Sequence, residues 1–309
     1  MTLAGATRKL SELGTRLTRR SAAGVVGIPF LKAKNISHPV WVDRYKIGTE
    51  QRERLIGSDS PHIRDRLARF ASTDLDFSGE KKNRCDLVRD IRAAGFAGPS
   101  PAQGALMSAL SRAQAFESGV TLIGWEALRA YGVLFGPDWA RLMHPGLEPV
   151  TIAMPDELSD EAEAAMGELD FDLTFDAQSN PRWRWQQSGS QEHVAIVTTS
   201  LSEDMGVRGV GFLLKGSMRV PLLHADGCFI RVPTPVRFAL HQIAVGARQK
   251  GTAQEKTFLM ARVIIERVGV QAADRIIDGL VEIEDREPEM KLAIEDARRM
   301  TREIDSILP

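Results

Sequence analysis

Cysteine is scarce. Cys85 and Cys228 are the only two in 309 residues, far apart and without a C-x-x-C pair, so no disulfide framework is available and both read as free thiols in a reducing compartment. Excess charge of one sign is also missing. Forty Lys and Arg against 41 Asp and Glu leave a net charge of −1, so no bulk field draws the chain to nucleic acid or acidic lipid, and only local patches can do so. No apolar run approaches the roughly 18 residues that span a bilayer. Six histidines are scattered with no H-x-x-x-H pair, so the helical metal motif is absent. There is no G-x-x-x-x-G-K-[ST] loop and no G-x-S-x-G elbow, which argues against a P-loop NTPase and leaves no serine in a hydrolase context. The opening MTLAGATRKLSELGTRLTRR is basic, with Leu3, Leu10, Leu13 and Leu17 near one helical face, but lacks a secretory apolar core and a cleavage site. It reads as a surface helix, and the chain as cytoplasmic with no membrane partner.

What is present reads as an ordinary globular protein, long for one core and comfortable for two. AGVVGIPFLKAKN and PVWVDRYKIGT predict two short strands in a hairpin. SPHIRDRLARFA predicts a helix capped by Ser60 with Pro61 at its first position. KNRCDLVRDIRAAGF and PAQGALMSALSRAQAF predict two more helices. The middle is mixed: a strand at GVTLIG, a helix at WEALRAYGVLFG, a buried strand at PVTIAM and a helix at DELSDEAEAAMGEL. Strands follow at DFDLTFD, RWRWQQ, HVAIVTT, GVGFLLK, RVPLL and CFIRV. From Thr234 four helices run nearly to the end, the last of them EPEMKLAIEDARRMTREIDSIL. Strands clustered before a block of helices indicate an α+β fold. The expected divisions are 1–83 for the N-terminal helix, hairpin and helix, 84–232 for the α/β part, and 233–309 for the helical part.

The segments LIGSDSP, LVRDIRAAGFAGPSP, LIGWEALRAYGVLFG and IRVPTPVRFALHQIAV occur in that order. Together they resemble a bacterial family of nucleotidyltransferase-fold proteins, distant relatives of the minimal toxin-type nucleotidyltransferases. The likeness covers most of the chain. Its most specific part is Val232 through His241, similar to the family's Val-Pro-x-Pro-x-Arg-Phe-Ala-Leu-His segment. The resemblance implies a nucleotidyltransferase-like mixed β-sheet core between an N-terminal hairpin with helices and a C-terminal helical bundle. It also implies an ancestral reaction, Mg²⁺-dependent transfer of a nucleoside monophosphate from NTP.

Matched position by position, the family's Gly-Ser/Thr turn falls on Gly124 and Trp125, with an indole where a hydroxyl would meet phosphate. The resemblance assigns the Asp-x-Asp strand to PVTIAM, at Pro149 and Thr151, and the third acid to Ala195 on HVAIVTT. The family's Lys-Asp in the C-terminal helices becomes Lys256-Thr257. Mg²⁺ takes carboxylate oxygens by preference, and none of these positions supplies one. The chain therefore reads as a catalytically degenerate member that binds a nucleotide or a protein or RNA partner. Gly124, Trp125, Arg237 and Lys256 are its nucleotide-binding candidates. Arg237 has two readings, a guanidinium pairing phosphate oxygens and a salt bridge docking the helical part, and Lys256 shares the ambiguity.

Two acidic pairs carry the rival reading of an active enzyme, with NTP and Mg²⁺ held by relocated carboxylates. Asp170 and Asp172 alternate as in a strand but come a helix late; Asp74 and Asp76 follow the Gly57-Ser58 turn with a helix between and no apolar strand to fix them. An amphipathic edge strand explains the first pair, and a solvated turn with an Asp helix cap the second. RWRWQQ alternates Arg182 and Arg184 with Trp183 and Trp185, either a base-stacking surface or a strand burying two indoles. His241 reads as a structural imidazole on an apolar helix. A scaffold that binds no nucleotide is the third reading.

Overall fold

The computed structural model describes residues 2–33, 38–47, 50–71, 76–139, 150–154, 171–175, 183–187, 193–198, 209–269 and 273–308. Helix α1 (Leu3–Ala22) starts at Thr2, whose hydroxyl accepts from the Gly5 N–H, and buries Ala6, Leu13 and Leu17 along one face. Three antiparallel strands follow in sequential order: β1 (Ile28–Lys32), β2 (Val40–Ile47) and β3 (Glu50–Ser58). The sequence predicts only the first two. In β3 the run Glu-Gln-Arg-Glu-Arg hides the alternation that marks a strand, and cross-strand pairing supplies what is missing: Glu53 lies opposite Arg44 and bonds it at 2.9 Å, with Lys32 at 3.0 Å.

Helix α2 (Pro61–Phe70) begins as predicted, with the Ile63 N–H donating to Ser60 Oγ at 3.3 Å. Helix α3 (Phe77–Ala93) starts earlier than predicted because Asp76 caps it, accepting from the Gly79 N–H at 2.8 Å. Helix α4 (Pro101–Arg112) carries a reciprocal capping box between Ser100 and Gln103.

The central sheet holds β4 (Thr121–Ile123), β5 (Val150–Met154), β6 (Phe171–Phe175), β7 (Trp183–Gln187) and β8 (His193–Thr198) in the order β4-β5-β8-β7-β6. Only β5 and β8 run parallel, so the sheet is mixed. Helices α5 (Gly124–Ala130) and α6 (Gly132–Phe135) leave the end of β4. The helix predicted at residues 156–169 lies outside the described residues.

GVGFLLK corrects a prediction. It forms not a strand but the short helix α7 (Val210–Lys215). Gly209 enters it with φ 82°, and Val210, Phe212 and Leu213 are buried, a helical rather than an alternating set. A short apolar run cannot be told from a strand by periodicity alone. The hairpin β9 (Ser217–Leu222) and β10 (Cys228–Pro233) comes next. The helices α8 (Pro235–Gly246), α9 (Thr252–Val268), α10 (Ala273–Arg286), α11 (Pro288–Met300) and α12 (Arg302–Ile307) complete the described chain. The last two were predicted as one; Thr301 is extended (φ −146°, ψ 128°) and breaks them.

One apolar core joins the sheet (Leu122, Ile152, Val194), α4, α5, the β9–β10 hairpin and the C-terminal helices (Ile243, Ile264, Ile294). It runs across the expected division at 232/233, and helix α3 runs across the one at 83/84. Fixing the corner between β4 and the hairpin, the Tyr131 hydroxyl donates to Pro233 O at 2.8 Å and the Trp139 indole to Leu128 O at 2.7 Å. Smaller clusters pack α1 on α3 and seat Trp41, Leu67, Phe70 and Phe77 beneath the N-terminal sheet.

A buried ion cluster ties the N-terminal elements to the hairpin. Asp226, in the β9–β10 turn, accepts from Arg84 at 2.7 Å and from Arg20 at 3.2 Å. Arg84 also donates to Asp226 O at 3.2 Å and lies 3.6 Å from Glu80, which in turn pairs with Arg16 at 2.5 Å. Among the described residues no helix is long and apolar enough to cross a membrane.

Candidate functional site

The end of β4 and the two strands beside it bring together the positions singled out in sequence. Strand β4 ends at Ile123, which lies opposite Thr151 of β5, and Thr151 lies opposite Ala195 of β8. Directly after Ile123 the chain turns at Gly124, with φ +64°, and enters α5. That conformation suits glycine because an L side chain crowds the backbone there. A methyl group at Gly124 would stand 3.6 Å from Cβ and Oγ1 of Thr151, so the turn and the middle of β5 are in contact range. Gly124, at the turn after β4, thus forms a short row with Thr151 of β5 and Ala195 of β8, the last two held by the strand pairing itself.

The chemistry of that row is poor in metal donors. Mg²⁺ demands an octahedron of hard oxygens, usually with one or two carboxylates. Thr151 offers a hydroxyl, alanine at position 195 offers no donor, and Pro149 lies outside the described residues. These residues do not fit the ion. Among the described residues no three His, Cys, Asp or Glu side chains group so as to hold a metal.

Trp125 sits at the start of α5, partly buried against the main core. One residue on, Glu126 is buried and pairs with Arg129 at 3.0 Å; burial pushes its carboxyl up, against the pull of Arg129. Sequence reasoning passed over this acid, which stands next to Trp125 in an ordinary helical run. It belongs to the side of α5 that faces Leu222, Leu223 and Ile230.

Arg237, in the first turn of α8, is committed elsewhere. Its Nη1 donates to Phe212 O at 2.8 Å, its Nη2 pairs with Glu282 of α10, and its guanidinium carbon lies 4.5 Å from the Phe212 ring centroid. Of its two readings, the contacts made are those that dock helices. The Glu282 carboxyl is held below its usual range, chiefly by the hydrogen bond from Arg237. Lys256 is exposed on α9, while its neighbour Thr257 is buried with its hydroxyl 2.7 Å from Gln249 Oε1. His241 is buried on α8.

The acidic pairs stand apart from the row. Asp172 lies on β6, opposite Gln186, and β6 is the far edge of the sheet, with β8 and β7 between it and β5. Three strand spacings of about 4.8 Å put it some 14 Å from β5, too far for one ion to touch both. Asp170 and Asp74 lie outside the described residues. Asp76 is the exposed cap of α3, and Gly57-Ser58 ends β3 of the N-terminal sheet. RWRWQQ includes strand β7, paired with β6 and β8.

Two cavities open elsewhere, around Arg20 and Asp226. A nucleotidyltransferase family model matches residues 102–278, from α4 to the middle of α10. No curated protein and no solved structure matches the chain.

Proposed function

Since the chain belongs to the nucleotidyltransferase family that matches more than half of it, we propose that it has kept the family's sheet and lost the family's transfer reaction. On this reading it is a nucleotide- or partner-binding protein with a regulatory role. The observation that supports the reading is the row Gly124–Thr151–Ala195, with a hydroxyl and a methyl at two positions that the resemblance assigns to carboxylates.

Transfer of a nucleoside monophosphate builds negative charge around the α-phosphorus as the pyrophosphate leaves. Two divalent ions about 4 Å apart ordinarily stabilise that charge and the attacking oxygen. Their carboxylate ligands must sit on a rigid strand, since alternation then points both to one face. Thr151 stands on such a strand, but a neutral hydroxyl neither offsets the ions' charge nor bridges them. The backbone turn at Gly124 needs no acid to receive a phosphate, so binding can outlast catalysis.

Calorimetry with ATP, GTP, CTP and UTP, each with Mg²⁺ and with EDTA, tests this. Affinity that survives EDTA supports a retained nucleotide site. Heat that depends wholly on Mg²⁺ contradicts the loss of the metal site. No heat with any nucleotide removes the nucleotide from the reading and leaves a protein or RNA partner.

A further inference from the structure

A cavity of about 550 Å³ lies between the N-terminal sheet, the end of α1, α3 and the end of α4, with Asp226 at its base. Its volume is within the range of small-molecule sites, about 300–1,000 Å³. Its charge departs sharply from that of the chain. Arg20, Arg44, Lys46, Lys81 and Arg112 line it, against the one acid Asp226, in a protein whose cations and acids nearly balance as a whole.

Two of these cations are neutralised in place, Arg20 by Asp226 at 3.2 Å and Arg44 by Glu53 at 2.9 Å. Among the described residues Lys46, Lys81 and Arg112 are in no close ion pair, although Lys81 helps to hold the Asp226 carboxyl down; Arg112 donates to a backbone carbonyl, Lys46 O, at 2.6 Å. Three positive charges outside any close ion pair converge on one concave space, where low-dielectric walls strengthen their joint field. Phe30 and Tyr45 also line the cavity, from opposite faces of the β1–β2 pair, and the Arg44 guanidinium carbon lies 4.0 Å above the Phe30 centroid.

The walls are fixed before any ligand arrives. Asp43, fully buried, accepts from the Val26 and Gly27 N–H groups at 2.6 and 2.8 Å. Arg20 donates to the carbonyls of Val25 and Val26. Tyr45 packs on Ala109 and Ala113 at the end of α4, which locks the middle strand β2 to the helix that presents Arg112. A cleft so braced binds without the cost of ordering its own side.

We propose that this cavity is a binding site for a nucleoside diphosphate, its phosphates on Lys46, Lys81 and Arg112 and its base against the Arg44–Phe30 stack. The site is separate from the Gly124 turn and needs no divalent ion, since the cations themselves neutralise the phosphates. It stands whether or not the Gly124 turn holds a nucleotide.

Calorimetry in EDTA with the four common nucleoside diphosphates, and with pyrophosphate alone, tests the assignment on the full chain. Lys46 and Lys81 are exposed, so the double variant Lys46→Gln/Lys81→Gln is expected to keep the native circular dichroism. It should weaken the diphosphate Kd by about tenfold or more, the equivalent of one lost charge-assisted hydrogen bond. Trp125→Ala, at the other site, should leave this Kd within about twofold, since distant sites act independently. Pyrophosphate should compete, and more weakly than the nucleotide. Several outcomes overturn the proposal: no binding of any diphosphate, a Kd unchanged by the lysine substitutions, or equal binding of pyrophosphate. Retention of an RNA oligonucleotide with the same lysine dependence, but no mononucleotide, would replace the small ligand with a polymer.

Discussion

Asp226 shows how much one side chain can hold. Burial alone would push its carboxyl up, but Arg20 and Arg84 together outweigh burial and leave it below the usual carboxylate range. A depressed carboxylate stabilises the fold at pH above its unfolded value, about 3.9, and that contribution is lost as pH falls through the folded value. Asp226→Asn leaves two buried guanidinium groups short of their counter-charge and should cost about 3–5 kcal/mol at neutral pH. Urea unfolding at pH 7 and again below pH 4 checks this, the gap between variant and native protein narrowing in acid. A gap independent of pH would show that the charge is not what matters. None of this cluster could be read from sequence, because Arg20, Arg84 and Asp226 are spread over more than 200 residues and each looks like a surface charge. The local chemistry was legible: Ser60 caps α2 and Asp76 caps α3, because capping acts within one helical turn.

Between elements, close packing decides the sign of small changes. Gly14, inside α1, has nothing within 4 Å of an added methyl, so Gly14→Ala should stabilise the protein by up to about 1 kcal/mol. Gly246, at the end of α8, faces α9 so closely that the same methyl would lie 2.6 Å from the Phe258 ring. Gly246→Ala should therefore cost about 1–3 kcal/mol, as overpacking does. Thermal unfolding of the pair would reveal the opposite signs. Arg237 joins α8 to α7 and α10, and Arg237→Ala should lower stability by about 2–3 kcal/mol through the lost charged hydrogen bonds. If nucleotide affinity falls while stability does not, its docking role is wrong. Elements with strong periodicity or caps, such as α2, α4 and α9, were legible in sequence. The third strand, β3, was not, because ion pairs with β2 rather than alternating apolar residues complete it. Helix α7 was misread because six apolar and glycine residues carry no period until tertiary contacts choose one.

Across the whole molecule, the sheet brings Gly124, Thr151 and Ala195 into one row from segments up to 71 residues apart, and the sequence resemblance is what assigns that row a role. The mixed α+β architecture was legible from the order of strands and helices, and the row from the resemblance. The basic cavity was not. Its cations come from α1, β2, α3 and α4, and a balanced total charge conceals them. The central proposal is that the transfer reaction is gone. The most direct test incubates the full chain with each α-³²P NTP, Mg²⁺ and cell extract, alongside Asp170→Ala/Asp172→Ala and the restored Thr151→Asp/Ala195→Asp. The account predicts no labelled product from the native chain and none from the alanine variant, with tighter Mg²⁺ binding in the restored one. Label transferred by the native chain and abolished in Asp170→Ala/Asp172→Ala would contradict it.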